Sequence, residues 1–526
     1  MLLPQVNEVS AGKSTMVDFK GYNHKLFIAD GEFYDMKNMT ADYYPLLSPR
    51  KPRGTHQFLV KPNGLFAKEK LIWADGTAVY FDGEKILDVE DSSKQFSSMG
   101  AYLLVFPDKL YYNTADGTSG SLENHYVAGE NVEITIESSP LSTSTSDLGA
   151  DSPYVKISAP GIESGFSQYD GVEISGCTQD DLNKTTIIQE LGENFILITG
   201  MTEETFTQTG GLTVSRKLPE MDFITESDNR LWGCSSANHE IYACKLGDPK
   251  NWFCYEGIST DSYAVTVGSD GDFTGACTYL GNVLFFKEDM VHKVFGSQPS
   301  NFQVTSSTLR GVAKGSERSL AIVNETLYYQ SRNGIVAYAG GAPTRISDAL
   351  GEIQYHSVTA GAVGNKYYAS MCDKKGEWSL FVWDESKGMW HREDETHASC
   401  FAALSGELYF LDAGTNQIKT VTGNDQENLT WFAQFGEWID GSYDKKYLSK
   451  LQVNAQLEPG ASLNIWIRVD GAQQWECVYS LNSPNKRTYT IPILPRRCER
   501  LEMKLSGKGM CKIFSVAKTV SFGTEI

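Results

Sequence analysis

A short phrase recurs along this chain, in which a turn residue is followed by Leu or Tyr and then by aromatic side chains. It occurs as Lys70-Leu71-Ile72-Trp73, Asp108-Lys109-Leu110-Tyr111-Tyr112 and Asp228-Asn229-Arg230-Leu231-Trp232. It returns as Gly281-Asn282-Val283-Leu284-Phe285-Phe286, Asn324-Glu325-Thr326-Leu327-Tyr328-Tyr329, Gly364-Asn365-Lys366-Tyr367-Tyr368 and Gly406-Glu407-Leu408-Tyr409-Phe410. The steps from Leu71 to Leu110, Leu284 to Leu327, Leu327 to Tyr367 and Tyr367 to Leu408 are 39, 43, 40 and 41 residues, and that from Leu231 to Leu284 is 53. Most copies are followed by a second apolar run, such as Glu240-Ile241-Tyr242-Ala243, Gly334-Ile335-Val336-Ala337-Tyr338 or Ser379-Leu380-Phe381-Val382-Trp383. Several then reach a third segment opened by Pro or Gly, as at Pro249, Pro299, Pro343 and Gly388. Hairpins of three or four short strands repeating about every 40 residues predict β-propeller blades, about seven of them. Unrelated hairpins in a β-sandwich would not keep so even a period. The repeats carry neither a WD dipeptide nor a kelch-type double glycine.

One interval breaks the rhythm, since Leu110 to Leu231 spans 121 residues. An inserted domain is therefore expected over 126–217. Its runs Val132-Glu133-Ile134-Thr135-Ile136, Tyr154-Val155-Lys156-Ile157, Val172-Glu173-Ile174 and Phe195-Ile196-Leu197-Ile198 have the pattern of a small β-sandwich or barrel. After 423 the repeat gives way to longer alternating runs at Leu463–Val469, Arg487–Ile491, Leu501–Leu505 and Lys512–Val516. The expected organisation is an N-terminal arm over 1–55 lying against neighbours, blades over 56–125 and 218–423 flanking the insertion, and a C-terminal antiparallel β domain over 424–526.

A chain of 526 residues exceeds one ordinary core. Aromatic residues at 12% with 48 Gly favour pleated sheets joined by tight turns. The formal net charge of −20 argues against a surface built to grip nucleic acid, which needs clustered Lys and Arg. The start MLLPQVNEVSAGKST has no secretory-signal pattern and no run reaches a membrane span, so folding in a cytoplasm is expected. Ten Cys without a CxxC pair point to reduced, packed thiols.

Chemical signals are weak. Gly12-Lys13-Ser14-Thr15 resembles the end of a phosphate-binding loop, but Asn7 stands where Gly is required and no strand precedes it. The eight His (24, 56, 125, 239, 292, 356, 391 and 397) show no metal spacing. Cys234, Cys244 and Cys254 recur every ten residues, and core thiols explain them better than a metal site. Asp270 and Asp272 could suggest a cation site or a glycosidase pair, yet no Asp box is complete. The Asn-x-Thr sequons at Asn38, Asn183, Asn324 and Asn428 carry no meaning outside a secreted eukaryotic chain. No catalytic, cofactor or metal residue is assigned, and no enzymatic activity is expected.

Three stretches resemble virion proteins of tailed phages, namely the stabilisation, hub and tail-nozzle proteins that carry β-propellers. They are Phe19-Lys20-Gly21-Tyr22-Asn23 with Asp30 to Met39 and Pro45 to Arg50, then Phe166 to Gly176, then Pro492 to Cys498 with Lys504 to Gly509. The resemblance implies a structural protein of the tail or neck, assembled in the bacterial host cytoplasm. It implies a ring of copies, often a hexamer, that extends the DNA channel, contacts portal, adaptor or other tail proteins and anchors fibres or spikes. DNA would only pass through, repelled by acidic walls, and no membrane partner is implied. The alternative is a receptor- or glycan-binding propeller at the tail tip, with Trp232, Trp252, Trp383 and Trp390 gathered on one rim.

Overall fold

The computed structural model describes residues 11–142, 152–425, 429–438, 440, 445–494 and 496–522. Strands occupy 54% of the described residues, and the only helical elements among them are short 3-10 turns. The fold is all-β, as the aromatic and glycine content predicts.

Seven meanders of four antiparallel strands account for the repeat. They span 62–88, 95–121, 223–266, 275–307, 321–345, 355–392 and 398–420, the last taking its fourth strand, Gly54–Phe58, from the other end of the chain. In six of them the first two strands are joined by a two-residue turn, with pairs Met99↔Tyr102, Ser227↔Arg230, Tyr279↔Asn282, Val323↔Thr326, Val363↔Lys366 and Leu404↔Glu407. At least one residue of each turn has positive φ, for example Asn229 at 57° and Gly281 at 70°, which suits the twist of the flanking strands. This turn is the opening of the recurring phrase, and the Leu-aromatic run is the second strand. One copy falls elsewhere: Leu110–Asn113 is the third strand of its meander, and the second is the aliphatic Tyr102–Phe106.

Second strands are buried almost throughout, as in Arg230–Ser235 and Thr326–Ser331. A strand covered on both faces reads as a continuous apolar run rather than an alternating one.

The chain divides into two units, residues 72–314 and residues 1–71 with 315–526. In the first, the leading strands Gln95–Met99, Phe223–Ser227 and Gly275–Tyr279 touch one another in succession. The insertion belongs to this unit and forms an eight-stranded open sheet over 124–216. Its core includes Ile134, Ile157, Val172, Ile196 and Val214, and a buried Asp170–Arg216 pair at 2.5 Å holds its base.

In the second unit the leading strands Ala321–Val323, Tyr355–Val363, Ala398–Leu404 and Pro62–Ala67 likewise touch in succession. The sixth meander is not closed at its edge. Gly21–Tyr22 pairs onto Met389–Arg392, Glu32–Lys37 lies parallel beside it, and Thr430–Phe435, Leu501–Lys508, Ser462–Val469 and Glu476–Leu481 extend the same sheet to ten strands. Gly21 lies where an added Cβ would sit 2.5 Å from the Trp390 carbonyl oxygen, so the close approach requires glycine. A second sheet, Ala11–Met16, Cys511–Phe522, Lys446–Leu457 and Arg487–Ile491, shares a core with it through Leu451, Val453, Leu463, Ile465, Leu505 and Ile513.

The expected N-terminal arm is thus woven into the chain's own sheets from Ala11 onward. Three buried charges and the partly buried Asp394 fasten it. The Arg53 guanidinium meets Glu393 at 2.7 Å and Asp394 at 2.9 Å, while Arg50 reaches Asp394 at 3.2 Å and Glu393 at 3.4 Å. Arg50 Nε also donates to the Asn38 side-chain oxygen, and the Asn38 amide donates to the Thr430 carbonyl. Burial opposes ionisation of Asp394, but Arg53 and Arg50 outweigh it and hold its pKa at about 2.

Removing one member of such a cluster strands the others in a dry interior, so Glu393→Ala should cost about 3–5 kcal/mol in denaturant titrations. The Asp394 contribution should be complete above pH ~4 and lost as the pH falls toward about 2. Urea midpoints measured across that range should decline in the parent and be flatter in Asp394→Asn.

Candidate interaction surface

The outer face of the ten-stranded sheet is the most chemically distinctive surface among the described residues. Alternation along Leu501–Lys508 and Ser462–Val469 sends Met503, Leu505, Leu463 and Ile465 into the core, leaving Glu502, Lys504, Trp466 and Arg468 on the other side. Register pairs Arg468 with Glu502 and Trp466 with Lys504. Arg468 Nε donates to Glu502 Oε1 at 3.0 Å, its Nη2 donates to Oε2, and Gln434 adds a bond to Oε2 at 3.4 Å. The Lys504 ammonium lies 4.7 Å from the Trp475 ring centre and 5.5 Å from that of Trp466. Burial lowers its pKa and the nearby Arg468 adds to the effect. The Arg468 guanidinium also covers Trp475 at 4.7 Å, and Trp466 Nε1 donates to Ser506 Oγ at 2.9 Å.

A groove of about 370 Å³ opens beside this face, walled by Tyr34, Glu437, Arg468, Arg500 and the loop residues Leu26 and Phe27. Leu26 is 90% exposed and Phe27 76%. Two adjacent apolar side chains held in water beside Trp, Arg and Tyr have the composition of a protein contact surface. The groups present stack, pair charges and donate hydrogen bonds.

The residues weighed in the sequence lie apart from this face. Lys13 sits in a strand opposite Thr519, not in a phosphate loop. Trp252 and Trp390 are 1% exposed and Trp232 3%; the Trp252 and Trp390 indoles donate to the Pro249 and Ile346 carbonyls. These three serve the core and do not form a rim. The Trp383 ring lies tilted against that of Trp390, with 5.4 Å between ring centres. Asp272 forms an exposed pair with Lys314, the Asn38 side chain is bonded to the Thr430 carbonyl, and that of Asn183 to the Cys177 backbone. Asn428 lies outside the described residues. Cys234 and Cys244 are buried in apolar clusters.

Among the histidines, His391 and His292 are buried. The His292 ring nitrogens lie 2.8 Å from both Ser269 Oγ and Ser306 Oγ, and burial, with the Lys287 charge, lowers its pKa to about 4. Burial brings His391 to about 3.

No protein-family model matches this sequence, and no curated protein matches it. Solved structures with some likeness include Raptor of Chaetomium thermophilum, 11% identical with a TM-score of 0.34, aligned over 72% of this chain. The alignment spans only 30% of the Raptor chain. PorZ, a surface component of the type-IX secretion system of Porphyromonas gingivalis, gives 11% identity and 0.28 over 84% of this chain and 71% of its own. The endosialidase of phage phi92 gives 10% and 0.20 over 80% and 70%. Likenesses this remote do not bear on function.

Both buried imidazoles must stay neutral in the folded chain, so their contribution is complete above pH 6.5 and declines as the pH falls toward about 4. Denaturation midpoints should drop across that window, and His292→Gln should remove part of the slope. An unchanged slope would mean that His292 takes up its proton in the folded chain at the same pH as in the unfolded one.

Proposed function

We propose that this chain is a structural component of a phage tail or neck, in which the seven meanders are the blades of a propeller and copies assemble into a ring. Two features support the propeller. Leading strands follow one another side by side within each unit, and Gly54–Phe58 completes the meander built from 398–420. A propeller closes by such a borrowed strand, which leaves only short, protected edges. A stiff disc of this kind serves assembly without a catalytic group, and the phrases resembling tail proteins fall on framework segments: Phe19, Phe33, Met36 and Leu47 are core residues.

The role in assembly rests on one observation, the exposed Leu26–Phe27 pair beside the groove and the Trp466, Trp475 and Arg468 face. A head-to-tail contact between that surface and a different patch of the next copy generates a closed ring when the rotation fits. With a net charge of −20 per copy, a ring would also repel DNA phosphates and let the duplex pass without adhering.

Electron microscopy and native mass spectrometry of the purified chain should reveal annular oligomers, and labelled antibody should mark the tail or neck of particles that contain it. The double substitution L26S/F27S should release monomers that remain folded by circular dichroism. A wild-type chain that stays monomeric at concentrations approaching those of assembly, or rings unaffected by L26S/F27S, would reject this reading.

A further inference from the structure

The third of the regularly spaced cysteines does not share the surroundings of the other two. Cys254 lies in the connection between Glu240–Ala243 and Tyr263–Thr266, in a loop that turns back so that Asp261 faces it. The Cys254 sulfur and one carboxylate oxygen each from Glu256 and Asp261 lie within 4.8 Å of one another. Cys254 is fully enclosed and Asp261 is 4% exposed.

Asp261 Oδ2 is consumed by the loop, accepting the amides of Glu256 at 2.7 Å, Gly257 at 2.6 Å and Ile258 at 3.1 Å. Asp261 Oδ1 is buried and has no hydrogen-bond partner. An enclosed carboxylate oxygen without a partner is costly, and such a lone pair is normally given to a donor or a cation. No local donor supplies it. The surrounding groups are already committed: Arg230 donates to the backbone carbonyls of Cys244, Asp261 and Ser259, and Ser262 Oγ to that of Asn251.

From this geometry we infer that Cys254, Glu256 and Asp261 form a binding site for a divalent, thiolate-accepting cation of the zinc class. One sulfur and two carboxylate oxygens are three ligands of a tetrahedral zinc site, with water in the fourth position. Binding breaks the Cys254 S–H bond, forms a sulfur–metal bond and releases the proton to solvent, with no change of oxidation state. Three anionic ligands around a divalent cation leave one net negative charge. Lys245, whose ammonium is 3.5 Å from the Cys254 sulfur, compensates it and can donate to the coordinated thiolate.

The site would staple the loop on which the insertion rests. Asn251 donates to the Tyr169 carbonyl at 2.6 Å and accepts from the Gly171 amide at 3.0 Å, and Gln189 donates to Glu256 at 3.3 Å. The inference is independent of the role in a virion.

The test uses the full chain, reduced, stripped with a chelator and titrated with zinc against a chromogenic competitor, and with cobalt for the thiolate-to-metal charge-transfer band. Expected are one equivalent of tightly held zinc, a cobalt–thiolate band, and a higher melting temperature with zinc present. Cys254→Ser should abolish all three, whereas Cys477→Ser, at an exposed cysteine elsewhere, should retain them. Because Asp261→Asn could unfold the loop, Glu256→Gln is the milder variant and should weaken zinc binding at least about tenfold. Absence of binding by the parent, an intact site in Cys254→Ser, or unchanged affinity in Glu256→Gln would each overturn the assignment.

Discussion

Arg50, Arg53, Glu393 and Asp394 neutralise one another in a largely enclosed site, and this cluster anchors the N-terminal segment that runs on from Ala11. It stands where the N-terminal segment, having threaded through the ten-stranded sheet, turns to supply Gly54–Phe58 to the last meander. A buried set of charges adds little net stability over a well-packed apolar substitute, but it tolerates very few alternative arrangements. On the same N-terminal segment, the absence of a side chain at Gly21 permits the Tyr22↔Trp390 pairing.

Around that anchor the structure is held by repeated apolar stacking. Each second strand is covered on both faces, so Leu231, Phe285, Tyr329 and Leu408 lose nearly all their contact with water. The two additions to the meanders differ in how far they merge with them, since the C-terminal strands extend the sheet of the sixth. The insertion has its own core, and the C-terminal sheets share theirs with the N-terminal strands.

The repeat was legible in the sequence because its signal is local: a left-handed two-residue turn followed by a buried strand. It misled at Asp108 to Tyr112, where the aromatic residues sit on the third strand and the second, Tyr102–Phe106, is aliphatic. The N-terminal strands were illegible for a different reason. Gly21–Tyr22 is two residues long and Ala11–Met16 is largely polar, and their partners lie some 370 to 500 positions away in the sequence, beyond any periodicity. The alternation around Trp466 was visible, but which side faced water depended on Leu501–Lys508, a strand paired by the fold and not by proximity. Cys254, Glu256 and Asp261 follow no strand or helix period, so only the loop's turn brings them together.

The borrowed strand also sets an order of events during synthesis. Gly54–Phe58 leaves the ribosome early, yet its partner Gln417–Thr420 emerges only after most of the chain has been made. Until then an unsatisfied row of backbone amides and carbonyls waits in the nascent polypeptide, and the last-made meander cannot be completed. Messages cut short before that point yield chains with two raw strand edges, the natural targets of chaperones and of unwanted pairing between nascent neighbours.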